Sequence, residues 1–288
     1  VFERNEDKKN YCLGDIMKYS KNQAGSGVNK RNFTLLGDPA MRLTYPFYDI
    51  VTDSLNNTSV AETSDTIKAL QKVTISGHIQ GVDGKLLSDF NGIVYPIVYD
   101  KSSKLSTLGN DGGSTRTFRV RNNIIYKGKA TVDNGLFRFS FIVPKDISYA
   151  IGSGKLSYYA TDSVKDASGA FLDIVIGGSE SGADVDVTGP EVNAYMNNKY
   201  FRSGGITDRN PVLYVEVFDE HGINTTGNGI GHDITAVIDG NTGNSRILNE
   251  YYQASLNDYQ SGVIEYPLFN LEEGKHEISV KVWDIYNN

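Results

Sequence analysis

Residues 137–143 read Phe137-Arg138-Phe139-Ser140-Phe141-Ile142-Val143. Rings at every second position, with polar side chains between them, have the period of a strand that turns one face to a core and the other to water. The same alternation recurs on both sides of it. Downstream are Leu156, Tyr158 and Ala160, then Leu172, Ile174 and Ile176. Upstream are Val73, Ile75 and Ile79, the dense run Ile93 to Tyr99, and Phe118 with Val120. Short strands separated by Gly, Asn, Asp and Ser turns predict a β-sandwich over residues 67–187.

The segment Gly182 to Pro190 is polar and breaks the alternation, so a boundary is expected there. Beyond it, Leu213, Val215 and Val217, then Ile234, Ala236 and Ile238, then Ile264, Tyr266 and Leu268, then Ile278, Val280 and Val282 alternate again. Residues 188–288 are therefore read as a second, Ig-like β-sandwich, built by the same rules but not a repeat of the first. Towards the start, Leu13, Ile16 and Met17 lie one turn apart and predict a helix over 6–22, with Asn10 or Asp7 as cap and Gly25-Ser26-Gly27 as its end. Phe33-Thr34-Leu35-Leu36 reads as a short strand and Gly37-Asp38-Pro39 as a turn. Residues 1–46 form a short α/β piece, and 47–66, rich in Asp, Asn, Ser and Thr, read as a linker. The fold class is mainly β.

The 288 residues include 18 Tyr, 12 Phe and 30 Gly but only 3 Met, a β-type composition. The net charge of −7, with no basic stripe, argues against a nucleic-acid surface. No apolar run is long enough to span a bilayer, and no leader pattern opens the chain. Both ends read as cut from something longer.

One cysteine, Cys12, excludes an intrachain disulfide. A thiolate nucleophile needs a base beside it, and the nearest histidine in sequence is His78, across the linker. Among apolar neighbours on a helix, Cys12 reads as a buried structural residue. His221 and His232 flank a Gly-rich stretch, with Asp219, Glu220 and Asp233 nearby, but the spacing fits no standard metal pattern, and no Lys-Ser/Thr ending marks a phosphate loop. A solvated loop is expected. Asp184, Asp186 and Asp219 offer hard oxygen ligands for calcium at the boundary, against the plainer reading of a polar linker. The carboxylates show no sign of a glycosidase cleft. The tyrosines suit a sandwich core better than a sugar-stacking platform. No catalytic, cofactor-binding or metal residue is assigned.

Leu35-Leu36-Gly37-Asp38-Pro39-Ala40-Met41-Arg42-Leu43 resembles the closing strand and turn of the gingipain family of cysteine peptidases, and Leu13 to Asn22 resembles that domain's last helix. Phe137 to Asp146, Tyr159 to Asp162, Thr188 to Glu191, Gly222 to Ile234 and Val282 to Asn288 extend the likeness to the family's sortase-type members, which serve the type IX secretion system of Bacteroidota. The resemblance implies a parent that cleaves C-terminal sorting domains from secreted cargo and links the product to a surface glycolipid. It implies a place on the outer face of the outer membrane. As partners it implies the parent's peptidase domain, outer-membrane secretion components and cargo sorting domains. In that family His precedes Cys in the dyad; here Cys12 precedes every His, so no catalytic role is carried over. Asp53-Ser54-Leu55, Asp65-Thr66-Ile67 and Asp162-Ser163-Val164 resemble the acceptor triplet for O-glycosylation in these bacteria, and the first two are expected to be accessible in the linker. The contrasting reading is an independent cell-surface carbohydrate-binding or adhesion module.

Overall fold

The alternation around Phe139 places a ring of strands around one core. The computed structural model describes residues 11–25, 27–28, 32–62, 65–110, 112–226 and 231–288. The chain divides into two units, Val1–Phe47 and Tyr48–Asn288.

The first unit holds one helix, α1 (Leu13–Gln23). The predicted start at residue 6 and the caps Asp7 and Asn10 lie outside the described residues, as does Ser26. Cys12 precedes the helix rather than sitting in it. The first free N–H groups of α1 are met by a turn: Leu13 N–H donates to Met41 O and Gly14 N–H to Pro39 O, both at 2.8 Å. Asp38 shapes that turn by accepting from Ala40 N–H at 2.8 Å. The helix is thus pinned to the Gly-Asp-Pro turn. Phe33 to Leu36 form no strand, contrary to expectation; among the described residues no strand pairs with them. Leu13, Ile16, Met17 and Leu35 are half-buried, Leu36 is 93% exposed, and no described residue of the unit is fully buried.

The second unit begins with a seven-strand barrel: β1 (Tyr48–Leu55), β2 (Lys72–Gln80), β3 (Gly92–Tyr99), β4 (Ala130–Asp133), β5 (Leu136–Ile142), β6 (Lys155–Thr161) and β7 (Asp166–Phe171). Around the ring the order is β6-β7-β1-β2-β5-β4-β3, and β3 pairs back to β6. All pairs are antiparallel except β1 with β7. The strand Ile124–Lys127 extends the sheet along the rest of β3.

This corrects two expectations. The middle region is a closed seven-strand barrel rather than a sandwich of two facing sheets. A short second sheet, Gly152–Ser153, Val175–Ser179 and Thr66–Ala69, adds Ile67, Ala69 and Ile176 to the same core. The supposed linker 47–66 contains β1, which closes the barrel. β1 is polar because only Ile50, Thr52 and Leu55 turn inward; Asp49 and Asp53 face water. Its single inward hydroxyl is satisfied, Thr52 Oγ1 lying 2.9 Å from Tyr158 Oη.

Within the barrel Phe137, Phe139 and Phe141 are buried as read, and Tyr126 stacks on Phe141 at 4.5 Å between ring centroids. Two assignments to the core fail. Leu172 is exposed, and Phe118 lies in a separate two-stranded hairpin, Ser103–Ser106 with Thr117–Val120, that pairs with no other strand.

The rest of the unit has a second core, shared by two sheets. One is β8 (Glu191–Met196), β9 (Val212–Phe218), β13 (Ser261–Pro267) and β12 (Tyr252–Ala254), in that order; the other is β11 (Arg246–Ile247), β10 (Thr235–Ile238) and β14 (Ile278–Lys281). Leu213, Val215, Ile234, Ala236 and Ile264 are fully or almost fully buried between them. The second unit is mainly β throughout. No described helix is long and apolar enough to cross a membrane.

Candidate functional site

Polar groups concentrate where the barrel meets the second core. Asp146 follows β5 by a short loop and has three donors: His232 Nδ1 at 2.7 Å, Asn224 Nδ2 at 3.0 Å and Asn287 Nδ2 at 2.7 Å. Asn224 is fully buried, and its Oδ1 in turn accepts from Thr226 N–H and Oγ1. The main chain is joined here as well, Lys145 N–H donating to Ile285 O at 2.9 Å. On another side of the junction Asn257 Oδ1 accepts from Thr131 N–H and its Nδ2 donates to Thr131 Oγ1.

Beside this lies a carboxylate cluster. Ligand atoms of Asp186, Asp219 and His221 all lie within 4.8 Å of one another. Asp186 Oδ2 accepts a hydrogen bond from His221 Nδ1 at 2.8 Å. Asp219 Oδ1 accepts from His221 N–H at 2.8 Å and Gly222 N–H at 3.0 Å. Asp284, fully buried, accepts from Tyr286 N–H and Asn288 N–H.

The three carboxyls are not equivalent. Burial first, and then the charges of Asp284 and Asp186, push Asp219 above the ordinary carboxylate range. Burial likewise pushes Asp284 up, with Asp186 adding to it. Asp186 moves the other way, held low first by the Thr188 N–H and then by His221. Asp186 therefore keeps its charge, and its two neighbours are the ones driven towards neutrality.

Such a cluster can present oxygen and nitrogen to a divalent ion. Its atoms are also already joined by hydrogen bonds, which tie the 182–190 segment to the second core. The sequence reading named Asp186, Asp219 and His221 in two separate candidate groups; the structure merges them. Asp184 is exposed and outside the merged cluster. Asp233 is pushed upward by burial alone. Gly227 to Ile230, in the Gly-rich stretch, lie outside the described residues. Asp146 and Asp284 were not found from sequence, since a lone Asp in a turn carries no signal of the donors that the fold will bring to it.

Among the described residues of the second unit no thiol is present. Cys12 lies in the first unit, half-buried rather than buried as expected, and its Sγ–H donates to Asp15 Oδ2 at 3.0 Å. All four histidines have Nδ1 on an aspartate: His78 on Asp53, His221 on Asp186, His232 on Asp146 and His276 on Asp239. A cleft of about 250 Å³ between β3, Lys127 to Lys129, and β12 is smaller than the ~300–1,000 Å³ that usually holds a small molecule. Its ammonium groups already donate to Glu250 O and Gln253 Oε1. On the barrel's outer face Tyr95 and Tyr159 are tilted by 31° and make no flat platform.

Of the three glycosylation-like triplets, two lie in strands: Leu55 and Ile67 are buried, and Ser54 Oγ is held by Ser76 Oγ at 2.6 Å. Only Asp162-Ser163-Val164 lies on an exposed turn, with Val164 91% exposed.

Neither a protein-family model nor a curated protein matches the chain. Among solved structures, a crystal structure of dimeric latent PorU from Porphyromonas gingivalis is 32% identical, with a TM-score of 0.51. The match covers 100% of this chain and 28% of that one. A marsupial T cell receptor aligns over 81% of this chain and 99% of its own, at 7% identity, but its TM-score of 0.20 carries no argument for an immunoglobulin fold. The chain is therefore PorU-like along its whole length, and it spans little more than a quarter of that relative.

Proposed function

We propose that this chain is the non-catalytic C-terminal region of a surface cysteine peptidase of the PorU type. The parent would remove C-terminal sorting domains from secreted cargo and attach the product to a glycolipid outside the outer membrane. The observation that carries this reading is the 32% identity to PorU sustained over all 288 residues. The local chemistry supports the non-catalytic part: the one thiol donates to Asp15 Oδ2 rather than to a histidine nitrogen. The two-sheet region over 188–288 is read as the Ig-like part of this arrangement, and residues 1–46 as the closing piece of the peptidase domain.

Two measurements test the proposal. The intact parent polypeptide is expected to carry a His followed by a Cys nucleophile upstream of Val1. The isolated chain is expected to show no thiol-dependent cleavage of Arg-, Lys- or general peptide substrates. Cleavage that disappears on Cys12→Ala would overturn the assignment.

A further inference from the structure

Between β3 and Ile124–Lys127 the chain leaves the barrel as the hairpin Ser103–Ser106 and Thr117–Val120. From Lys104 to Arg119 every described residue is exposed except the half-buried Gly109. An isolated two-stranded ribbon is marginal in water. This one also carries apolar groups in solvent: Leu105 and Phe118, directly opposite each other, are 45% and 46% exposed, and Leu108 in the connecting loop is 82% exposed.

The charges break a second rule. Lys104 pairs with Arg119 across the ribbon, and like charges placed opposite each other destabilise an antiparallel pair. Arg116 and Arg121 extend the basic group. Among the described residues none of the four has a carboxylate partner; Arg119 Nη1 donates to the neutral Ser102 Oγ. From Ser102 to Arg121 the only acid is Asp111, so this arm carries +3 while the remainder of the chain carries −10. The sequence shows no basic stripe because the loop separates Lys104 from the three arginines. Strand pairing reunites them.

We propose that the hairpin is an interfacial arm that docks on an anionic lipid bilayer. Leu108 enters the boundary between headgroups and acyl chains, with Leu105 and Phe118 behind it, and Lys104, Arg116, Arg119 and Arg121 meet the phosphates. The combination decides among partners. A soluble polyanion would satisfy the cations and leave Leu108 in water. An apolar protein groove would bury Leu108 and strip water from unpaired charges. A charged interface with an apolar layer beneath it accepts both. The acidic remainder is repelled by the same surface, so the arm approaches first. This inference stands on the hairpin alone, and neither outcome of its test bears on the relationship to PorU.

The test is co-sedimentation of the intact chain with equimolar phosphatidylglycerol–phosphatidylcholine vesicles and with pure phosphatidylcholine vesicles. Binding to the first and not the second is expected, weakening as salt screens the charges. Lys104→Glu with Arg119→Glu should weaken it by about tenfold or more, and Leu108→Ser by about tenfold. All three positions are exposed, so an unchanged circular dichroism spectrum should accompany each loss. Equal binding to both vesicles, binding to neither, or binding untouched by the double charge reversal would overturn the proposal. So would retention on heparin without vesicle binding, which would assign the arm to a soluble polyanion.

Discussion

Phe139 and Arg138 are adjacent in sequence and opposite in consequence. Phe139 is buried between Phe137 and Phe141, with the Tyr126 ring 5.7 Å away. Removing it leaves a cavity in a packed barrel, and Phe139→Ala should cost about 3–5 kcal/mol. Arg138 is exposed and donates to Asn57 Oδ1 on the surface, so Arg138→Ala should cost well under about 1 kcal/mol. Denaturant melts of the two variants measure both, and equal losses would mean the faces are misassigned. Asp219 gives a pH-dependent counterpart. Its folded pKa is raised, so the folded chain holds a proton where the unfolded chain has released it. Stability at this site therefore falls as pH rises from the ordinary value of 3.8 through the raised one. Asp219→Asn keeps an Oδ1 to accept the His221 and Gly222 N–H groups and removes the buried charge. The variant should be more stable than the parent at neutral pH, and the gap should close as pH falls towards 3.8. Melts across that range measure it; a gap that widens on acidification would contradict the sign. Asp186, with its lowered pKa, contributes in the opposite sense.

At the level of the element, β1 decides the architecture. It was misread because a strand with Asp49, Asp53 and Ser54 facing outward has the composition of a linker, and its inward positions are shifted by an irregularity between Thr52 and Ser54. Phe118 was misread for the opposite reason: alternation reports a two-faced ribbon but not whether anything covers the apolar face. β5 was legible because its faces differ by three aromatic rings. The seam between β1 and β7 is registered only through Tyr48 with Ala167 and Asp49 with Ser168, and the one other seam as narrow, β4 with β5, is closed by a tight turn. Just past that register a Cβ at Gly169 would overlap the Ile50 carbonyl oxygen, so backbone meets backbone there. Gly169→Ala should push the two strands apart and destabilise the barrel by about 1–3 kcal/mol. Hydrogen exchange should show the loss first in β1 and β7; protection lost elsewhere first would place the weak seam wrongly.

Across the whole second unit, two cores are joined through few polar residues, and Asp146 holds the most. Two of its donors, Asn224 and His232, come from the Gly-rich stretch and the third, Asn287, from the far end of the chain, while Asp146 itself lies 78 residues before Asn224. That is why sequence spacing could suggest a loop around His232 but not the acceptor it meets. Asp146→Ala leaves the fully buried Asn224 amide short of an acceptor, at a cost of roughly 1–3 kcal/mol. The parent chain should melt over residues 48–288 in one calorimetric transition and the variant in two; one unmoved transition in the variant would show that the junction is held elsewhere. The ring itself has a consequence for the order of events in folding. Tyr48 finds its parallel partner only in Ala167, so the strand made first waits for the strand made last. Such non-local closure is slow, because the loop entropy is lost before the contact is gained. A chain interrupted before Asp166 would present an open sheet with β1 unpaired on one side, a template for joining other chains edge to edge. Until the seventh strand arrives, protection from aggregation has to come from outside the barrel.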